Sequence, residues 1–187
     1  MKPQFSPGVL TRLRFACGPV LARLRDCRKG ATAVEFGLIA VPFFALFMAI
    51  LQTGLVFLAQ EQLQTATSQA ARLIMTGQAQ KQGLSASQFQ QDVCGNTVAM
   101  LACSGIYVNV QKFSTFSGMT MLNPVQSGNF NNAAMNFNAG GPGDIILVQT
   151  FYQWPVIPGL LGLNLSNMNG NNLLLVGTAV FRNEPYQ

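Results

Sequence analysis

A chain of 187 residues with 49% hydrophobic and only 9% charged residues is far poorer in charge than a soluble domain, which carries about 25%. Its net charge of +5 is confined to one end. Residues 1–30 hold Lys2, Arg12, Arg14, Arg23, Arg25, Arg28 and Lys29 against Asp26 alone, while residues 61–187 are neutral overall. That pattern argues for an oriented tail rather than a nucleic-acid surface, and the absence of histidine removes most general-base, triad and metal designs.

After the basic segment, Phe36 to Gln60 is a run of 25 residues without a charge, and about 20 apolar residues suffice to cross a bilayer. Seven basic residues precede the run, so the positive-inside rule places the N-terminus in the cytoplasm and residues 61–187 outside it. A cleaved signal peptide would have a shorter apolar region, about 7–15 residues, with small residues after it. Here the small residues GATA (30–33) come before it, and an unprocessed signal anchor stays open. Pro42 removes the hydrogen bond to the Leu38 carbonyl and should kink the helix. Ala33, Gly37, Ala45, Ala49 and Thr53 fall on four-residue steps, a ridge that lets helices approach closely in lipid.

Beyond the apolar run, Leu55, Leu58, Leu63, Ala66, Ala70 and Leu73 recur at helical spacing among glutamines and threonines, which predicts an amphipathic continuation ending at Gly77. A helix over 31–76 would be about 69 Å long, so roughly half would protrude. Ser85-Ala86-Ser87-Gln88 reads as a capping box, opening a second helix with Phe89, Val93, Val98 and Leu101 as its buried stripe. Strands are expected around Ile106, Val108 and Val110, over Asp144–Trp154, and over Leu173–Arg182, separated by Asn-, Gly- and Pro-rich loops at 123–143 and 155–172. The expected fold class is α+β: a long N-terminal transmembrane helix extending outward, a second short helix, and a small antiparallel sheet packed on the protruding helix. The domain expectations are a basic leader (1–30), the transmembrane and protruding helix (31–76) and an extracytoplasmic domain (77–187).

Catalytic chemistry finds no support. Glu61, Asp92, Asp144 and Glu184 form no local pair, and Gly140–Gly143 precedes a strand instead of following one, so it reads as a turn and not a phosphate loop. No catalytic residue, metal, cofactor, small-molecule substrate or nucleic acid is expected. Cys17 and Cys27 belong to the cytoplasmic tail and should stay reduced. Cys94 and Cys103, nine positions apart, read as a disulfide stapling helix to sheet, with two free buried thiols or a zinc pair as the alternatives.

A basic segment, then Gly30, then Ala31-Thr32-Ala33-Val34-Glu35-Phe36 and an uncharged helix resembles the type IV prepilin signal. The resemblance implies cleavage by a prepilin peptidase between Gly30 and Ala31, leaving Glu35 as the fifth mature residue. The longer line GATAVEFGLIAVPFF, with Pro42 seven residues after Glu35, resembles the TadE-like pseudopilins of tight-adherence pilus systems. More loosely, so do FYQWPVIPGLLG (151–162), the Cys94 and Cys103 pair and the ending AVFRNEPY (179–186). Phe36 stands where a tyrosine is often found. Size and ending favour the TadE type over TadF or TadG. The resemblance implies a minor pilin-like protein of the bacterial inner membrane, needed for pilus biogenesis, adherence and biofilm formation. Its partners would be other pilin-like subunits and the assembly platform, with Glu35 and Phe36 in assembly. The alternative is an unprocessed single-pass anchor whose loops at 123–143 and 155–172 present a ligand-binding surface.

Overall fold

The basic run Arg28-Lys29 leads directly into helix α1, Arg28–Met75, which passes through Pro42 without interruption. The computed structural model describes residues 28–97, 100–158, 162 and 164–186; residues 1–27 of the leader, with Cys17 and Cys27, and Val98 lie outside them. The chain divides into two units, one ending at Phe44 and the other running from Ala45 to Gln187. In the first unit, Val34, Phe36, Leu38, Ile39, Val41, Phe43 and Phe44 are all exposed, as expected for a helix whose surroundings are not water. From Thr32 to Met75 the helix is long and apolar enough to cross a membrane.

The second unit starts with the remainder of α1. Gly77, at φ 77°, ends the helix by turning left-handed, a conformation that costs glycine no steric clash. A short helix α2 follows at Gln78–Gln82, where the sequence pattern predicts no element. Ser85 then caps α3 (Ala86–Gly95): Gln88 N–H donates to Ser85 Oγ at 3.3 Å, and Ser85 N–H donates to Gln88 Oε1 at 2.8 Å. Helix α3 buries Phe89 and Val93 but stops at Gly95. Leu101 is buried from the loop beyond it, with Ala59, Leu63 and Leu175.

Among the described residues the strands of the unit are β1 (Ile106–Phe113), β2 (Val125–Gln126), β3 (Asn129–Phe130), β4 (Ile145–Pro155) and β5 (Asn172–Arg182). The main sheet has the order β1-β4-β5 and is antiparallel, with Ile106 opposite Tyr152 and Trp154 opposite Leu173. Alternation along each strand sends one set of side chains to each face. One face carries Ile106, Val110, Ile146 and Val148 against Ala66, Ala70, Ala71 and Ile74 of α1 and Phe89 and Val93 of α3. The alanines on α1 let helix and sheet approach closely. The spacing puts Leu55 and Leu58 on the same buried stripe, but both are about half exposed, and Val56 is the residue of that turn that packs with Trp154 and Leu173.

The second face is polar at its centre. Asn109 and Gln149 are buried there and satisfied by each other and by the Asn-rich loop. Asn109 Nδ2 donates to Gln149 Oε1 at 3.2 Å, Leu122 N–H donates to the same oxygen at 3.0 Å, and Asn136 N–H donates to Asn109 Oδ1 at 3.0 Å. The loop also pairs with the outer edge of β1, where Val110 N–H donates to Asn136 O and Asn138 N–H to Val110 O. The β2–β3 hairpin turns at Ser127 and Gly128, both at positive φ, as a two-residue hairpin turn of type I′ requires.

Candidate functional site

The residues singled out near the N-terminus lie on one helical segment. Helix α1 starts at Arg28, so the Gly30–Ala31 bond lies in its first turn. Glu35 and Phe36 are exposed, Phe36 at 71%, and Glu35 stands one turn after Ala31. A Cβ added at Gly30, Gly37 or Gly54 would meet no atom within 4 Å.

How α1 is held to the sheet is the part that sequence reasoning missed. Strand β5 is an edge strand, and its outward N–H and C=O groups need partners. Gln60 supplies them to Val176, donating from Nε2 to the carbonyl at 2.8 Å and accepting from the N–H at 3.3 Å. Gln64 does the same for Thr178, at 2.9 and 3.0 Å. Four helical residues rise about 6 Å and two strand residues about 6.8 Å. Glutamines at i and i+4 therefore match alternate residues of a strand lying alongside. Their amides stand in for the neighbouring strand.

One turn further, Thr67 Oγ1 bonds both the Leu63 carbonyl at 2.6 Å and Thr150 Oγ1 at 2.5 Å, fully buried. Gly177 sits against that pair, with no room for a side chain. The far end of α1 is closed by the chain's own tail. Glu184 N–H donates to the Met75 carbonyl at 2.9 Å, one of the acceptors a helix end leaves unpaired. Asn183, 3% exposed, donates through Nδ2 to Ala139 O and Gly141 O, and the Tyr186 ring covers Gly77. The ending AVFRNEPY thus clamps the C-terminus of α1 to the turn before β4.

Cys94, on α3, and Cys103, just before β1, are joined by a disulfide with Cα atoms 5.4 Å apart, and Gln90 Nε2 donates to the Cys103 carbonyl at 2.9 Å. Lys112 Nζ lies 2.8 Å from Asp144 Oδ2. That hydrogen bond, with a second from Gly141 N–H, holds the Asp144 carboxyl below the usual carboxylate range.

Compared with known families, residues 30–72 match the model for TadE-like protein. No curated protein and no solved structure matches the chain. The matched stretch begins at Gly30 and includes Glu35, Phe36, Pro42, Gln60, Gln64 and Thr67. The looser likeness in residues 94–187 lies outside it. Over residues 30–72, from the glycine at its start to the face that docks on β5, this chain is similar to the TadE-like family.

Proposed function

We propose that this protein is a membrane-anchored, pilin-like component of tight-adherence pilus assembly, processed by a prepilin peptidase between Gly30 and Ala31. The observation that carries the reading is the coincidence of the TadE-like match with the apolar exposed helix: residues 30–72 in the one, Thr32 to Met75 in the other. The basic leader orients it, with the N-terminus in the cytoplasm and the α+β domain outside. The helix has the work of packing against other pilin-like helices and the assembly platform, with a bend at Pro42 fitting it to them. The folded domain is the body that the helix carries.

Glu35 has the central role in that packing. Cleavage creates an α-amino group on Ala31, one helical turn from Glu35 and at similar depth. The carboxylate of one subunit can then meet the amine of another. A charge at the bilayer centre costs about 2.5–3.5 kcal/mol on insertion scales and less towards the edge, so pairing offsets much of the cost. As a lone carboxylate it would gain less than the ~0.3–1 kcal/mol that the helix dipole gives a first-turn acid, because it lies beyond the first turn of α1. Glu35→Gln keeps the shape and removes the charge. It should still be cut after Gly30, yet fail to co-purify with pilin-like subunits and fail to support piliation. Wild-type levels of both would reduce Glu35 to a helix-start carboxylate. A helix that already begins at Arg28 is also compatible with an unprocessed anchor, which the start of the isolated chain distinguishes.

A further inference from the structure

The glutamine register fixes how far the sheet reaches along α1. Gln60 pairs with Val176 and Gln64 with Thr178, so β5 runs parallel to the helix, and its first residue, Asn172, lies towards the apolar end of α1. Four strand residues separate Asn172 from Val176, about 13 Å, which equals about nine helical residues counted back from Gln60. The base of the β4–β5 connection is therefore level with the helix near Leu51. Packing agrees with the count: Val56 of α1 shares a cluster with Trp154 at the end of β4 and Leu173 at the start of β5.

At that level α1 exposes Leu51, Leu55, Phe57 and Leu58, with Gln52 and Thr53 partly exposed beside them. The connection matches them. Ile157 is 68% and Leu165 36% exposed. From Ile145 to Phe181 there is no charged residue, so burying Ile157 and Leu165 takes no ion out of water, although Asn164, Asn167 and Asn169 of the same connection are exposed polar groups. Trp154, half-buried, has the ring expected at the boundary between headgroups and acyl chains, where tryptophan and tyrosine concentrate; Tyr152 lies beside it, with ring centroids 6.3 Å apart.

We propose that the β4–β5 end of the domain, at Trp154, Ile157 and Leu165, docks on the outer leaflet of the membrane that α1 crosses. The inference rests on the reading of α1 as a membrane span with the domain outside. Its occupant is lipid and not a protein ligand, because the apolar groups continue, at the same depth, the lipid-facing surface of the chain's own helix. Docking holds the domain against the bilayer while the subunit waits in the membrane. Extraction of the helix must then lift the β4–β5 end out as well.

Trp154 is the chain's only tryptophan, so its fluorescence reports on this site without labelling. The full-length chain is reconstituted in phosphatidylcholine–phosphatidylglycerol vesicles containing lipids brominated along the acyl chains, with iodide as the aqueous quencher. The proposal expects quenching by the shallowly brominated lipid, weak quenching by iodide, and loss of lipid quenching in the exposed-site variants Ile157→Asp and Leu165→Asp. Absence of lipid quenching in the wild type overturns it, whatever iodide does. Lipid quenching unchanged in both variants also overturns it, because α1 alone would then account for the signal. Alkaline carbonate separates the two readings: a chain that stays in the vesicles without lipid quenching loses only this inference, whereas one that is stripped off loses the membrane span as well.

Discussion

Gly177→Ala adds one methyl group where helix and sheet leave no space for it. The new Cβ would lie on Thr67 Oγ1, 2.6 Å from Thr150 Oγ1 and 3.1 Å from the Leu63 carbonyl oxygen. The first two are the buried hydroxyl pair, and the third is helix backbone that cannot rotate aside. Relief requires α1 to move off β5, which also strains the Gln60 and Gln64 amides on either side. Overpacking of this kind costs about 1–3 kcal/mol, and parting a buried hydroxyl pair adds about 1–3 kcal/mol for the group left unsatisfied. Against this, replacing glycine in a strand gains about 0.5–1 kcal/mol. The net expectation is a loss of about 2 kcal/mol, at the cautious end of that sum. Unfolding of the detergent-solubilised chain in urea, followed through Trp154 fluorescence, measures it. Thr67→Ala removes the hydroxyl that the methyl strikes, so the cost of Gly177→Ala should shrink in that background. A Gly177→Ala protein as stable as the wild type would show that α1 does not rest on β5 at this point.

Gly30→Leu places a bulky side chain where the peptidase subsite would receive none, and should leave a full-length product; normal maturation of that variant would mean the cut lies elsewhere. Cys94 and Cys103 should be recovered as one linked peptide in non-reducing mapping of the folded domain, and replacing either by serine should cost roughly 2–3 kcal/mol of stability on the chain-entropy account. Asp144 has a folded pKa lowered by Lys112 and Gly141. Its contribution is therefore present above the unfolded value of about 3.9 and is lost as pH falls through the lower folded value. The pair is partly exposed, so Lys112→Met should flatten that acid limb by less than about 1 kcal/mol, read from urea unfolding at pH 2–6.

Local signals in the sequence carried the elements well. The capping box at Ser85, the glycine stop at Gly77 and the alternation in β1 each depend on neighbours within a few residues, and each is found where expected. Strand β4 is shifted from expectation by one residue at both ends, and β5 begins one residue earlier. What stayed hidden depends on residues far apart. Gln60 and Gln64 looked like solvent-facing filler because the strand they satisfy lies more than 110 positions away. The Asn-rich loop carries no strand pattern, yet its backbone closes the β1 edge and meets the buried Asn109, a pairing that no spacing rule announces. Helix α3 stops at Gly95 and so leaves Leu101 to be buried from a loop, which a periodic count cannot separate from one more helical turn. At the candidate site, Gly30, Glu35 and Pro42 were legible because they break an otherwise uniform apolar pattern. The docking face at Thr67 and Gly177 was not, since a threonine on a helix and a glycine in a strand are each ordinary until the two meet.

The central claim is that the mature protein begins inside this sequence, at the first turn of an apolar helix left in the membrane. N-terminal sequencing of the protein extracted from membranes of the native host tests it most directly. A chain starting at Ala31 is the predicted result, with Glu35 as its fifth residue. A chain starting at Met1 or Lys2 would contradict it, leaving an unprocessed single-pass anchor.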